Sequence, residues 1–170
     1  SDPLFKKVAR LGFLLTKAGF YVVTGGGPGL MEAAHLGAYM AQYEQGDLDM
    51  ALGTLASTSI PSDTSKKQYE MLDYWDKSRE VLERYPVGRV SLGIPTWFYG
   101  HEGANAFSTH VAKYFSNALR EEQICAIGLY GAIFAPGGPG TLQEIFMDAS
   151  QNSYASYGTY SPMIFFNDPY

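Results

Sequence analysis

The chain has almost no cysteine: Cys125 stands alone in 170 residues, so no disulfide can form within it. A packed core must hold the fold, and a lone thiol fits a reducing, cytoplasmic setting. Cys125 itself reads as a small buried apolar residue rather than a catalytic thiol. Histidine is scarce too, and His35, His101 and His110 show no paired ligand spacing, so no metal site is expected. Positive charge is thin: 12 Lys and Arg face 17 Asp and Glu, for a net charge of −5. A nucleic-acid polymer needs a basic face, and these cations are scattered, which argues against such a partner. No apolar run is long enough to span a bilayer, so no membrane partner is expected. Small anions remain open, because backbone N–H groups bind them without net positive charge. The length suffices for one core, and 46% hydrophobic with 17% charged residues is ordinary for a globular domain.

Glycine, by contrast, is plentiful and clustered. Ala132-Ile133-Phe134-Ala135 runs into Pro136-Gly137-Gly138-Pro139-Gly140-Thr141 and then into Leu142-Gln143-Glu144-Ile145-Phe146. The succession reads as strand, turn, helix. The two prolines stop the strand and restrict the turn, and the glycines permit close backbone approach to a bound group. Free N–H groups of the first helical turn would point at an anion there. Leu142, Ile145, Phe146 and Ala149 form the expected apolar face, and Glu144 is expected in the first turn, beside the anion and not under it. The pattern recurs where Phe20-Tyr21-Val22-Val23-Thr24 leads into Gly25-Gly26-Gly27-Pro28-Gly29 and Leu30-Met31-Glu32-Ala33-Ala34. In one open parallel sheet both turns would lie along the carboxyl edge, where such sheets bind ligands.

These two stretches resemble the LOG family, once mislabelled as lysine decarboxylases, whose signature is P-G-G-x-G-T-x-x-E. The segment Gly93 to Glu122, with Ile94-Pro95-Thr96-Trp97-Phe98-Tyr99-Gly100-His101-Glu102, is similar to the larger bacterial branch, the nucleotide 5′-monophosphate nucleosidases. The likeness is weakest across residues 43–88. It implies a single Rossmann-like nucleotide-binding domain over residues 1–170, a doubly wound parallel sheet with helices on both faces, incomplete at both ends. A helix starting at Pro3 follows a first strand in the family, so that strand is expected before Ser1. The implied activity is hydrolysis of nucleoside 5′-monophosphates to free base and ribose 5-phosphate, without a cofactor and in a homodimer or larger homo-oligomer. Carried over, the substrate-binding residues are Gly25, Gly26, Gly27, Gly29, Met31 and Glu32 with Gly137, Gly138, Gly140 and Thr141. Glu144 and Arg120 are the catalytic pair. The family usually has Arg-Lys where this chain reads Leu119-Arg120-Glu121-Glu122, and Arg120 falls about one residue out of the family register.

Between the motifs, Leu4, Val8, Leu11, Leu15 and Ala18 predict a first helix closed by Gly19. Residues 42–60 read as loop or short helix. Ser62-Asp63-Thr64 offer caps for a helix over 66–85, whose stripe Met71, Tyr74, Trp75, Ser78, Val81, Leu82 and Tyr85 faces core or another subunit. Arg89 to Ile94 predicts a buried strand, and the loop Thr96 to Asn105, with His101 and Glu102 as a possible proton-handling pair, lies on the crevice side. Phe107, Val111, Tyr114, Phe115 and Ala118 predict a helical face that includes Tyr114 and Phe115 as an interface candidate. Ser161 to Phe166 predicts a last strand.

Chemically, breaking an N-glycosidic bond builds positive charge on the ribose, which a carboxylate such as Glu144 can stabilise or answer by activating water. Arg120 could hold a phosphate or orient Glu144. Two other classes stay open: a non-catalytic nucleotide sensor or carrier, and a dinucleotide-dependent oxidoreductase. The second is disfavoured because neither turn spells G-x-G-x-x-G with a later acidic strand end.

Overall fold

A computed structural model describes residues 2–56, 67–97 and 103–166, with backbone alone for 67–73. Asp2 starts the chain's first helix, α1 (Pro3–Lys17), by accepting a hydrogen bond from the Leu4 N–H at 2.9 Å, with Pro3 at the first helical position. β1 (Val22–Thr24) follows, then α2 (Leu30–Met40), α3 (Gln45–Leu55), α4 (Lys67–Arg84), β2 (Ser91–Gly93) and β3 (His110–Val111). The chain continues through α5 (Asn117–Ile127), β4 (Ala132–Phe134), α6 (Pro139–Ser153) and β5 (Met163–Phe165). The result is a mixed α/β fold with six helices and small parallel sheets among the described residues.

Strands β1, β2 and β3 form one parallel sheet in that order, with Val23 opposite Leu92 and Leu92 opposite His110. β4 and β5 form a second parallel pair, with Ile133 opposite Ile164. The sequence pattern places both glycine turns on one open sheet; the described residues divide them between two. Among the described residues each of β1 and β4 has a neighbour on one side only. The chain approaching β1 and the chain approaching β4 nevertheless meet, since the Phe20 and Tyr130 rings lie 6.3 Å apart edge to face.

The core sits under the first sheet, where Val8, Phe13, Leu36, Met40, Leu48, Leu52, Val81, Tyr85 and Phe107 pack together. α1 and α2 cross almost backbone to backbone. A side chain on Gly12 would strike the Ala34 carbonyl, and one on Gly37 would strike the Ala9 carbonyl. The buried stripe of α1 is therefore Val8, Ala9, Gly12 and Phe13, rotated from the leucine-based face expected from spacing.

The stretch after Gln42, read as loop or short helix, takes the helix: α3 begins at Gln45 with a reciprocal cap between Glu44 and Asp47, so its polar residues belong to the helix start. Other elements differ from the sequence expectation. The helix expected to carry Phe107 to Ala118 starts only at Asn117. Thr109 instead accepts from the Ser91 N–H at 2.8 Å and donates to its carbonyl at 3.0 Å, which draws His110 and Val111 into the sheet. On α6 the expected inward face is only half covered: Ile145 and Ala149 are half-buried, Leu142 is 57% and Phe146 74% exposed, and Asp148 is the residue the helix buries. The 66–85 helix stands as expected, with Ser78, Val81 and Tyr85 buried; Ser62, Asp63, Thr64, His101 and Glu102 lie outside the described residues.

Candidate functional site

Each glycine turn leads directly into a helix capped by glycine. Gly29 caps α2 and Gly138 caps α6, and neither helix start receives a side-chain hydrogen bond. Their first-turn N–H groups are therefore not taken by a capping side chain. Gly26 needs its positive φ of 77° and its lack of a side chain, since a Cβ there would stand 3.0 Å from Gly93 Cα and 3.1 Å from the Ile94 nitrogen. In the second turn, Gly137 leaves the space that the Thr141 side chain occupies.

Arg120 links the first turn to α6. Its Nη1 donates to Glu144 Oε1 at 2.7 Å and its Nη2 to Asn117 Oδ1 at 3.1 Å. The same Nη1 lies 3.2 Å from where a Gly25 Cβ would be, with Met31 Sδ at 2.9 Å from that point. Gly25 is thus the residue that lets the guanidinium and Met31 close over the first turn. Arg120 is 11% exposed in its side chain and Glu144 22%, so the pair is largely desolvated and is not a surface ion pair. The Arg120 Nε is buried without a partner. Burial pushes the Glu144 carboxyl above the usual glutamate range; the Arg120 guanidinium pulls it back and Glu121 adds to the rise. Glu144 stands in the second turn of α6, not the first, because the helix starts at Pro139 and its first turn carries no acid. This corrects the expected position, and it moves the carboxylate away from the helix N-terminus and towards Arg120.

Behind this pair lies an acidic seam between α5 and α6. Glu121 is fully buried, its Oε1 accepts from Asn117 Nδ2 at 2.8 Å, and its Oε2 has no partner. Asp148 is buried with Oδ2 unpartnered, and burial raises its carboxyl. Cys125 faces Asp148, Glu144 and Glu121; burial above all, then these carboxylates, pushes its thiol up to about 12. Cys125 is buried, as expected from sequence.

The first turn is held from beneath and from the side. Thr24 Oγ1 accepts from the Gly26 N–H at 2.9 Å and pairs with His35 Nε2 at 2.8 Å, while His35 Nδ1 pairs with Ser91 Oγ at 2.9 Å. His35 is fully buried and burial lowers its pKa to about 4, so the ring is neutral. Glu32, one turn earlier on α2, is fully buried with neither carboxylate oxygen hydrogen-bonded. Burial raises its pKa to about 8, and the nearby Gly29 backbone, which does not reach hydrogen-bond geometry, offsets this only in part. On the other flank, Asn105 Nδ2 donates to the Gly26 and Gly27 carbonyls at 3.0 and 3.2 Å.

The structure therefore brings Gly25, Met31, Arg120 and Glu144 to one point, and sets Gly140 near Glu121, 3.7 Å from a Cβ position to Oε1. Glu32 is fully buried. Sequence reasoning did not single out Thr24, His35, Ser91 or Glu121, and it included Asn105 only as the end of a loop. Their patterns carry no signature, and only the fold shows what they touch. Among the described residues no group of acids, histidines and cysteine is arranged to hold a metal ion. No protein-family model matches the chain, and no curated protein matches it significantly.

Proposed function

We infer that the chain hydrolyses the N-glycosidic bond of nucleoside 5′-monophosphates, releasing free base and ribose 5-phosphate. The observation that carries the reading is Arg120 Nη1, which bonds the Glu144 carboxylate while closing over Gly25, so that a cation, an acid and a glycine turn meet. The glycine-capped starts of α2 and α6 supply N–H groups for the phosphate. Glu144, desolvated and fixed by Arg120, is suited to stabilise the oxocarbenium-like ribose and to take a proton from water. The water oxygen bonds to C1′ as the C1′–N bond breaks, and the proton leaves on the base. No cofactor is needed for this exchange.

The finer fold belongs to the same reading. A parallel strand between the free edges of β1 and β4 would merge both sheets into one doubly wound, Rossmann-like sheet with both turns at its carboxyl edge. The Phe20–Tyr130 contact supports this by holding the starts of the two strands close together. A LOG-type nucleosidase working in the cytoplasm as a homodimer fits these features.

The test is a panel of nucleoside 5′-monophosphates with chromatographic detection of free base. We expect release from at least one, with AMP turned over at a higher kcat/KM than adenosine, because a nucleoside leaves the anion site empty. Binding without release would make the protein a sensor or carrier, and equal kcat/KM for AMP and adenosine would remove the phosphate from the account.

A further inference from the structure

We propose that Asn105 is the positioning residue that sets the first glycine turn in its anion-receiving form, an assignment that rests on the nucleosidase reading. Asn105 is 7% exposed and every polar group it owns is engaged. Its Nδ2 donates to the Gly26 and Gly27 carbonyls, and its backbone N–H donates to the Gly26 carbonyl at 2.8 Å. Its Oδ1 accepts from the Phe107 N–H at 3.2 Å, the Ser108 N–H at 3.1 Å and the Ser108 hydroxyl at 3.2 Å. The amide can face only one way. Reversed, it would set an oxygen against two carbonyls and an NH₂ against two backbone N–H donors.

The consequence follows from peptide planarity. In a trans peptide the carbonyl of one residue and the N–H of the next point in opposite directions. Holding the Gly26 carbonyl on the Asn105 side therefore turns the Gly27 N–H away from it. A glycine turn can bind an anion only with its carbonyls turned aside, because a carbonyl facing a phosphate repels it. Glycines cannot hold that choice by themselves, since they lack the side chains that restrict φ and ψ. The Gly26 N–H is already committed to Thr24 Oγ1, so aiming the next N–H matters more. Two carbonyls held by one side chain supply the missing restraint.

Asn105→Asp keeps the shape and replaces the double donor by an acceptor facing two carbonyls. With AMP as the probe, we expect KM to rise roughly 10–100-fold while kcat changes by less than about threefold, because the turn grips the phosphate equally in ground and transition states. The KM for adenosine should move far less, so the preference for the monophosphate shrinks. Asn105→Ala should shift KM in the same direction. A purely structural role would lower the melting temperature and leave the KM of the folded enzyme unchanged, and that result would overturn the assignment. If the Asp variant does not fold, Ser108→Ala, which loosens the grip on Oδ1, must still raise the KM for AMP a few-fold, and a normal KM there counts against the proposal. Loss of this inference is distinguishable from loss of the activity itself: the wild-type protein would release base from AMP in the first case and not in the second.

Discussion

Glu32 and His35 are both fully buried on α2, and burial moves them in opposite senses. Glu32, raised from 4.5 to about 8, holds its proton in the folded chain, so unfolding is favoured as pH rises through that interval. His35, lowered from 6.5 to about 4, stays neutral when folded, so unfolding is favoured as pH falls through that interval. From these two groups the slopes cancel between 4.5 and 6.5, and stability should decline from 6.5 towards 8 as the Glu32 term acts alone. Glu32→Gln should abolish that decline and leave stability rising with pH up to the ordinary histidine range. Chemical denaturation at a series of pH values measures both curves, and a variant that still loses stability above neutral pH would show that Glu32 is not the group responsible. None of this was legible in the sequence. Glu32 stands in a motif that reads as substrate contact, and only the folded chain shows that it is fully buried.

At the scale of elements, the proposed chemistry rests on the α5–α6 pair. Arg120 leaves α5 and Glu144 leaves α6 from its second turn, so the ion pair spans two helices and is not tied to one helix dipole. Because the guanidinium is what holds the Glu144 carboxyl down against burial and Glu121, Arg120→Met should raise that pKa further. If Glu144 ionisation sets the rate of base release, the acid limb of kcat/KM for AMP should then move to higher pH in Arg120→Met than in the wild type. An unmoved limb would separate Glu144 from the ionisation that controls rate. The signature spacing pointed to Glu144, and the family resemblance to Arg120 one residue out of register; the elements around them were misjudged. Leu142 and Phe146 recur at helical spacing and so read as core, but spacing fixes only a common face and cannot say whether that face meets protein or water. The run from Phe107 to Phe115 also has helical spacing. There the Thr109 hydroxyl on the Ser91 backbone tips it into the sheet, a non-local contact that no local pattern encodes.

For the whole molecule, strand–turn–helix units and an α/β class were readable from glycine punctuation, whereas their division into two sheets was not. Sheet partners are set by residues far apart in the chain, and β1 meets β2 across the whole of α2, α3 and α4. The outer surface of the second half is unusually apolar, with Phe115 84% and Phe146 74% exposed beside Leu119 and Leu142. We expect a homodimer at micromolar concentration by light scattering, and Phe115→Glu or Phe146→Glu to shift it towards monomer. A wild-type monomer would remove assembly from the account. The proposed hydrolysis rests on one carboxylate. Glu144→Gln keeps size and removes charge, so base release from AMP should fall roughly 10²–10⁴-fold while AMP affinity, carried by backbone N–H groups, stays within a few-fold. Turnover near the wild-type level in a folded Glu144→Gln protein would contradict the claim.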